Sequence, residues 1–225
     1  MTARARRMAI GGVALAAALA VGVWLRADLW ISGALTGAGA PTTAPGNESG
    51  NGNGHGAAPA SRPANWAQPL TAAGLENFHR VSDGLYRGRQ PKAEGFVSLK
   101  KLGVRTVVNL RTTHSDSKLL GDTGLVYKEI EFNPFSPSDS EVATFLKVVT
   151  DKSNQPVFVH CQHGADRTGM MCAMYRMAVE GWQRDEAIRE MTQGGYGWHE
   201  QWVNILAYMN KVDVEKIKKQ AGMGQ

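Results

Sequence analysis

One stretch constrains this chain more than any other: Pro156-Val-Phe-Val-His-Cys161-Gln-His-Gly-Ala-Asp-Arg167-Thr-Gly169. Its β-branched opening reads as a buried strand, and the residues after Arg167 follow a helical period. The short segment from Cys161 to Arg167 must join the two. A tight strand-to-helix loop leaves its own N–H groups and those of the first helical turn without intrachain partners. Such groups make an anion nest, to which the helix dipole adds, and an arginine fork can grip two oxygens of one phosphate. A cysteine at a helix N-terminus beside a fixed cation is stabilised as the thiolate, the nucleophilic form. The stretch therefore predicts a phosphate-holding loop with a nucleophile, Cys161, at its base.

The pattern His160-Cys161-x5-Arg167-Thr168-Gly169 resembles the signature of the protein tyrosine phosphatase superfamily. Asp83-Gly-Leu-Tyr-Arg-Gly-Arg-Gln-Pro91, Gly103-Val-Arg-Thr-Val-Val-Asn-Leu-Arg111 and Gly194-Gly-Tyr-Gly-Trp-His199 resemble elements of its compact dual-specificity-type members, in particular an atypical bacterial and fungal branch, over about residues 75 to 210. The resemblance implies in-line attack by Cys161 on phosphorus, giving a phosphocysteine that water hydrolyses. Arg167 and the loop amides of Gln162, His163, Gly164, Ala165, Asp166 and Arg167 would hold the non-bridging oxygens. Thr168 would place a hydroxyl near the sulfur, and His160 would hydrogen-bond the loop. No metal and no cofactor is implied. The leaving oxygen also needs a proton. Asp166 inside the loop is the first candidate donor, with Asp139, in the loop before a helix, as the alternative.

Composition bounds the rest. The formal net charge is +5, but Arg4, Arg6, Arg7, Arg26 and Arg62 against Asp28 and Glu48 carry +3 of it before residue 70, leaving +2 beyond. That removes the main support for nucleic acid as a partner. Cys161 and Cys172 are the two cysteines and suggest neither a disulfide framework nor a zinc site; Cys172 is expected in the core. Residues 1–30 read as a basic flank and membrane anchor or signal peptide, because Met8 to Leu25 is an uncharged run behind Arg4, Arg6 and Arg7. The positive flank predicts that the following domain lies outside the cytoplasm, periplasmic in a bacterium, with the membrane as a partner. Ala18-Leu19-Ala20 keeps cleavage and secretion open as the alternative. Residues 31–69 read as a flexible low-complexity linker and residues 70–225 as the catalytic domain.

Within the domain, strands are expected around Ser82-Asp83-Gly84, over 104–110 and 125–132, and before Cys161. Helices are expected between Pro91 and Gly103, after a Ser138/Glu141 capping box, after the loop, over 182–193 and from His199 to Lys218. Met170, Met171, Met174 and Met177 keep helical spacing and read as core. The alternation predicts an α/β fold, a central mainly parallel sheet flanked by helices with the loop at its carboxyl edge. The expected activity is hydrolysis of a phosphorylated protein or small phosphoester. Inositol phosphates or phosphoinositides are the alternative substrates, and a non-catalytic phosphate-binding module is the alternative role.

Overall fold

The computed structural model describes residues 62–224, and the basic flank, the apolar run and nearly all of the proposed linker lie outside them. Among the described residues no helix is long and apolar enough to cross a membrane. In chain order the elements are β1 (Gln68–Pro69), β2 (His79–Ser82), β3 (Leu85–Arg89), α1 (Ala93–Lys101), β4 (Thr106–Asn109), α2 (Ser117–Leu120), β5 (Val126–Glu129), α3 (Asp139–Thr150), β6 (Val157–Cys161), α4 (Asp166–Ala178), α5 (Arg184–Gln193), α6 (Val203–Lys211) and α7 (Val214–Gln220).

The strands form one sheet in the order β1-β2-β3-β6-β4-β5. It is mixed rather than mainly parallel: β3, β6, β4 and β5 run parallel, whereas β1 and β2 add antiparallel to β3. The Asp83-Gly84 turn is the reason, since parallel neighbours need a long crossover and a tight turn can only reverse the strand.

β6 lies between β3 and β4 with all five residues buried. Its two faces serve two cores. Val157, Val159 and Cys161 pack with α3, α4, α5 and α6, while Phe158 joins Phe96, Leu99 and Val107 on the α1 side. Period-2 alternation then puts His160 on the Phe158 face, where the two rings stack 5.8 Å apart. The capping box forms as expected, with Ser138 accepting from Glu141 N–H and the Glu141 carboxylate reaching back. The four methionines of α4 are core, and Cys172 beside them has its thiol pushed up to about 11 by burial.

Two boundaries differ from expectation. The domain begins upstream of residue 70: Trp66 and Ala67 are 3% and 1% exposed, Arg62 Nη1 donates to Gly194 O at 2.8 Å, and Ala67 N–H donates to Glu190 Oε1 at 2.6 Å. Linker-like neighbours mask one anchoring tryptophan. The last helix is two, broken at Val212 and restarted where Asp213 accepts from Lys216 N–H at 2.9 Å. It also begins at Val203, which leaves His199 in the preceding loop.

Candidate active site

Cys161 ends β6 and α4 starts at Asp166, so the turn predicted to hold phosphate lies at the carboxyl edge of the central strand. No side chain caps α4, and its first N–H groups stay available to a ligand. The loop's path depends on Gly164. Its φ is +71°, and a Cβ there would lie 2.4 Å from the backbone carbonyl of Gly88 in β3. From the same strand Arg87, 1% exposed, donates from Nη2 to Gly164 O at 2.8 Å and stacks 3.6 Å over the Tyr196 ring. A fixed guanidinium thus binds a loop carbonyl from outside, which turns that peptide's dipole away from the anion site.

Around this frame, Arg167 is half-buried and makes no hydrogen bond or ion pair among the described residues, so its fork is available to a ligand. Thr168 Oγ1 is buried and likewise has no partner there. Burial should make such an orphan costly, and a hydroxyl at the base of an anion loop is satisfied by sulfur or by a bound oxygen. Gln162, His163, Asp166, Arg167, His199 and Trp202 surround a recess of about 120 Å³ over the loop.

Behind the loop, fully buried His160 has Nε2 2.9 Å from Asp116 Oδ2, close but off the line of the ring N–H. Its Nδ1 lies 3.3 Å from Cys161 O. Asp116 also accepts from Gln90 Nε2 at 2.5 Å, and Gln90 Oε1 accepts from Arg111. Burial pushes the Asp116 carboxyl up, but the adjoining His160 ring, followed by the hydrogen bonds from Gln90 and Tyr127, outweighs it and holds the group below its ordinary value. Arg111 is pushed down by burial and then by the charge of Arg167, against the opposing charges of Asp116 and then Cys161, so a second guanidinium belongs to the charge field of the loop.

The two candidate proton donors have different surroundings. Asp166, 7% exposed, accepts from His199 N–H at 2.9 Å and has its Oδ2 3.0 Å from His199 Nδ1. Asp139 is not brought to the loop. In the first turn of α3 its carboxylate takes Tyr208 Oη at 2.9 Å and Lys216 Nζ at 2.8 Å, and the Lys216 hydrogen bond holds it below its ordinary value. Sequence reasoning missed Arg87, Arg111, Asp116 and His199 as contributors. Arg87 had one available signal, a charged residue at the inward register of a strand whose neighbour Leu85 is core.

A family model described as "DSP-PTPase phosphatase fused to NAD+ Kinase" matches residues 61–201. The chain belongs to the DSP-PTPase phosphatase family. Within that family it is 32% identical over 167 residues to the dual specificity protein phosphatase TpbA of Pseudomonas aeruginosa, covering 74% of this chain and 75% of TpbA. The crystal structure of a Cys-to-Ser variant of TpbA in complex with pTyr aligns with a TM-score of 0.65 at 31% identity, over 73% of this chain and all of that one. The inositol diphosphatase DSP3 of Arabidopsis thaliana is 28% identical over 151 residues, 62% of this chain and 73% of DSP3. The match from residue 61 agrees with the buried Trp66 in placing the start of the phosphatase domain before residue 70.

Proposed function

We propose that this phosphatase hydrolyses aryl phosphomonoesters of the phosphotyrosine type through a phosphocysteine on Cys161, with Arg167 holding two phosphoryl oxygens. The observation that carries the reading is the loop itself: Cys161 beneath it, Arg167 unpaired among the described residues, and the α4 amides uncapped. Arg167 and the amides follow charge onto the phosphoryl oxygens in the transition state, and Thr168 is free to donate to the sulfur when it leaves. Similarity to TpbA, whose variant was crystallised with pTyr, supports an aryl ester as substrate. The chain should release phosphate from an aryl phosphate without added metal and be inhibited by vanadate. Cys161→Ser should lose activity by on the order of 10³-fold or more. Undiminished turnover in that variant would falsify the assignment, and tight phosphopeptide binding without turnover by the wild type would favour the non-catalytic module.

A second reading, an inositol phosphate or phosphoinositide as substrate, is favoured by a groove of about 500 Å³ beside the loop, where Arg89, Lys92 and Arg111 stand near Gln162. Glu76 pairs with Arg89 at 2.9 Å and Lys92 at 3.0 Å, which offsets one of the three positive charges and reduces the advantage for a polyanion. Phosphopeptides and inositol phosphates compared on one preparation separate the readings by kcat/KM.

For location, we infer from the apolar run behind Arg4, Arg6 and Arg7 a membrane anchor that leaves the phosphatase domain outside the cytoplasm, periplasmic in a bacterium. Reporter fusions placed after residue 61 should be active only as the extracytoplasmic type; the opposite pattern refutes this topology.

A further inference from the structure

The loop aspartate and its partner supply an arrangement that the signature motif does not contain. Both oxygens of Asp166 are occupied as acceptors: Oδ1 takes the His199 backbone N–H at 2.9 Å, and Oδ2 lies 3.0 Å from His199 Nδ1. To give a proton to a substrate, Asp166 would have to carry one and surrender one of these contacts. His199 has the complementary situation. Its Nδ1 faces the carboxylate, which fixes the ring's orientation, and Nε2 makes no hydrogen bond among the described residues. The side chain is 41% exposed and shares the recess over the loop with Arg167.

We propose that His199, oriented by Asp166, is the proton donor to the leaving oxygen, and that Asp166 is its positioning residue. The inference rests on the phosphatase reading above. In the first step the Cys161 sulfur forms a bond to phosphorus as the bond from phosphorus to the ester oxygen breaks, and the proton on His199 Nε2 moves to that oxygen. In the second, a water oxygen bonds to phosphorus, the sulfur leaves with the electron pair of the P–S bond, and the proton lost by water returns to Nε2. Substrate alcohol and phosphate are the products, and enzyme atoms and charge are restored. Imidazole is the side chain whose ordinary titration range suits both halves of such a cycle near neutrality.

Other groups at the recess fit the role less well. His163, its ring 5.5 Å from that of His199, has no carboxylate hydrogen-bonded to its ring among the described residues, and burial, then the charges of His199 and Arg89, push its pKa down. Asp139 is engaged elsewhere with Lys216. Gln201 and Gln162 carry no titratable proton.

The test is leaving-group dependence, because a donated proton matters in proportion to how poor the leaving group is. With aryl phosphates spanning leaving groups from nitrophenol to unsubstituted phenol, the wild-type chain should show kcat/KM nearly independent of leaving-group pKa. His199→Asn should turn that flat line steep, with kcat on phenyl phosphate falling about 10²-fold or more and the loss on nitrophenyl phosphate at least tenfold smaller. Asp166→Asn retains an amide oxygen to accept from Nδ1 and should give an intermediate slope; His163→Asn, in a residue that lines the same recess, should lower all esters alike if it lowers any and so keep the slope flat. An equal loss on all esters in His199→Asn overturns the proposal, as does a steep Asp166→Asn beside a flat His199→Asn. A steep wild-type line also overturns it, and that measurement needs no variant to fold. Failure of the phosphatase reading looks different: no Cys161-dependent turnover of even the activated ester.

Discussion

Two histidine–aspartate pairs flank the loop, and burial separates what they can do. His160 and Asp116, both fully buried, lie behind the nucleophile; His199 and Asp166, 41% and 10% exposed at the side chain, lie at the mouth. The contact distances hardly differ, 2.9 and 3.0 Å. A proton behind the loop has no path to substrate or water, so the inner pair serves as a fixed charge distribution under Cys161. At the mouth the same two side chains can exchange a proton with whatever occupies the recess. His79 supplies the missing control. It is a buried histidine without a carboxylate partner, and burial, abetted by the charges of Arg87 and Arg62, pushes it down to about 4. The two histidines that flank the loop differ from it in geometry: each has a carboxylate oxygen within 3.0 Å of a ring nitrogen.

The largest test of that contrast is to remove each carboxylate. Asp116→Ala strands His160 and Gln90 in a buried space and should cost about 3 kcal/mol of stability, since losing one member of a buried pair leaves the other uncompensated. Asp166→Ala sits at a wetter site and should cost about 1 kcal/mol or less, while slowing turnover of poor leaving groups. Denaturant titration of both variants checks the difference. Equal destabilisation would erase the distinction between an inner structural pair and an outer chemical one.

How far the sequence revealed this depends on the range of each interaction. The loop was legible because strand, turn, glycine and helix are contiguous, and each local preference points the same way. The capping box of α3 and the methionine face of α4 were legible for the same reason. Asp116 was not, because it stands in a polar segment that resembles a loop while its partner His160 lies beyond β5 and α3; only the fold, with β6 next to β4, brings the two side chains together. His199 was quoted in a motif without a role, since its meaning depends on the Asp166 carboxylate 33 residues away in sequence. The break at Val212 was missed because apolar spacing continues through it, while Asp213 needs to be read as a cap. Trp66 was hidden by its neighbours, whose composition belongs to linkers.

His79 gives a smaller effect with a definite sign. Its folded pKa lies near 4, below the 6.5 of an unperturbed imidazole, so the unfolded chain binds protons more readily as the solution is acidified. The contribution is fully present above pH 6.5 and is lost as pH falls toward 4, amounting to about 2 kcal/mol by pH 5. Replacing His79 with Gln should flatten the stability profile across that window. Asp116 acts in a lower one. Its folded pKa is depressed below 3.8, so its share is complete above that value and is lost as the pH falls from there through the folded pKa, and Asp116→Asn should leave the shape of the profile above pH 5 unaltered. A His79→Gln profile that declines as steeply as wild type would show that another group titrates there.

The smallest expected effect belongs to Asp139, the carboxylate whose position before a helix suggests an acid. Its oxygens are taken by Tyr208 and Lys216, and the recess over the loop is lined by other residues. Lys216 is 59% exposed at its side chain, so the ion pair is screened and contributes little. Asp139→Asn keeps the hydrogen bond from Tyr208 and should change stability by less than about 0.5 kcal/mol, with kcat on phenyl phosphate within about twofold of wild type. The nearby Ser138–Glu141 capping box secures the start of α3 without it. If Asp139→Asn instead steepened the leaving-group dependence as His199→Asn is expected to, proton donation would have to come from a rearranged loop ahead of α3, and the outer histidine–aspartate pair would be reduced to the structural role now assigned to the inner one.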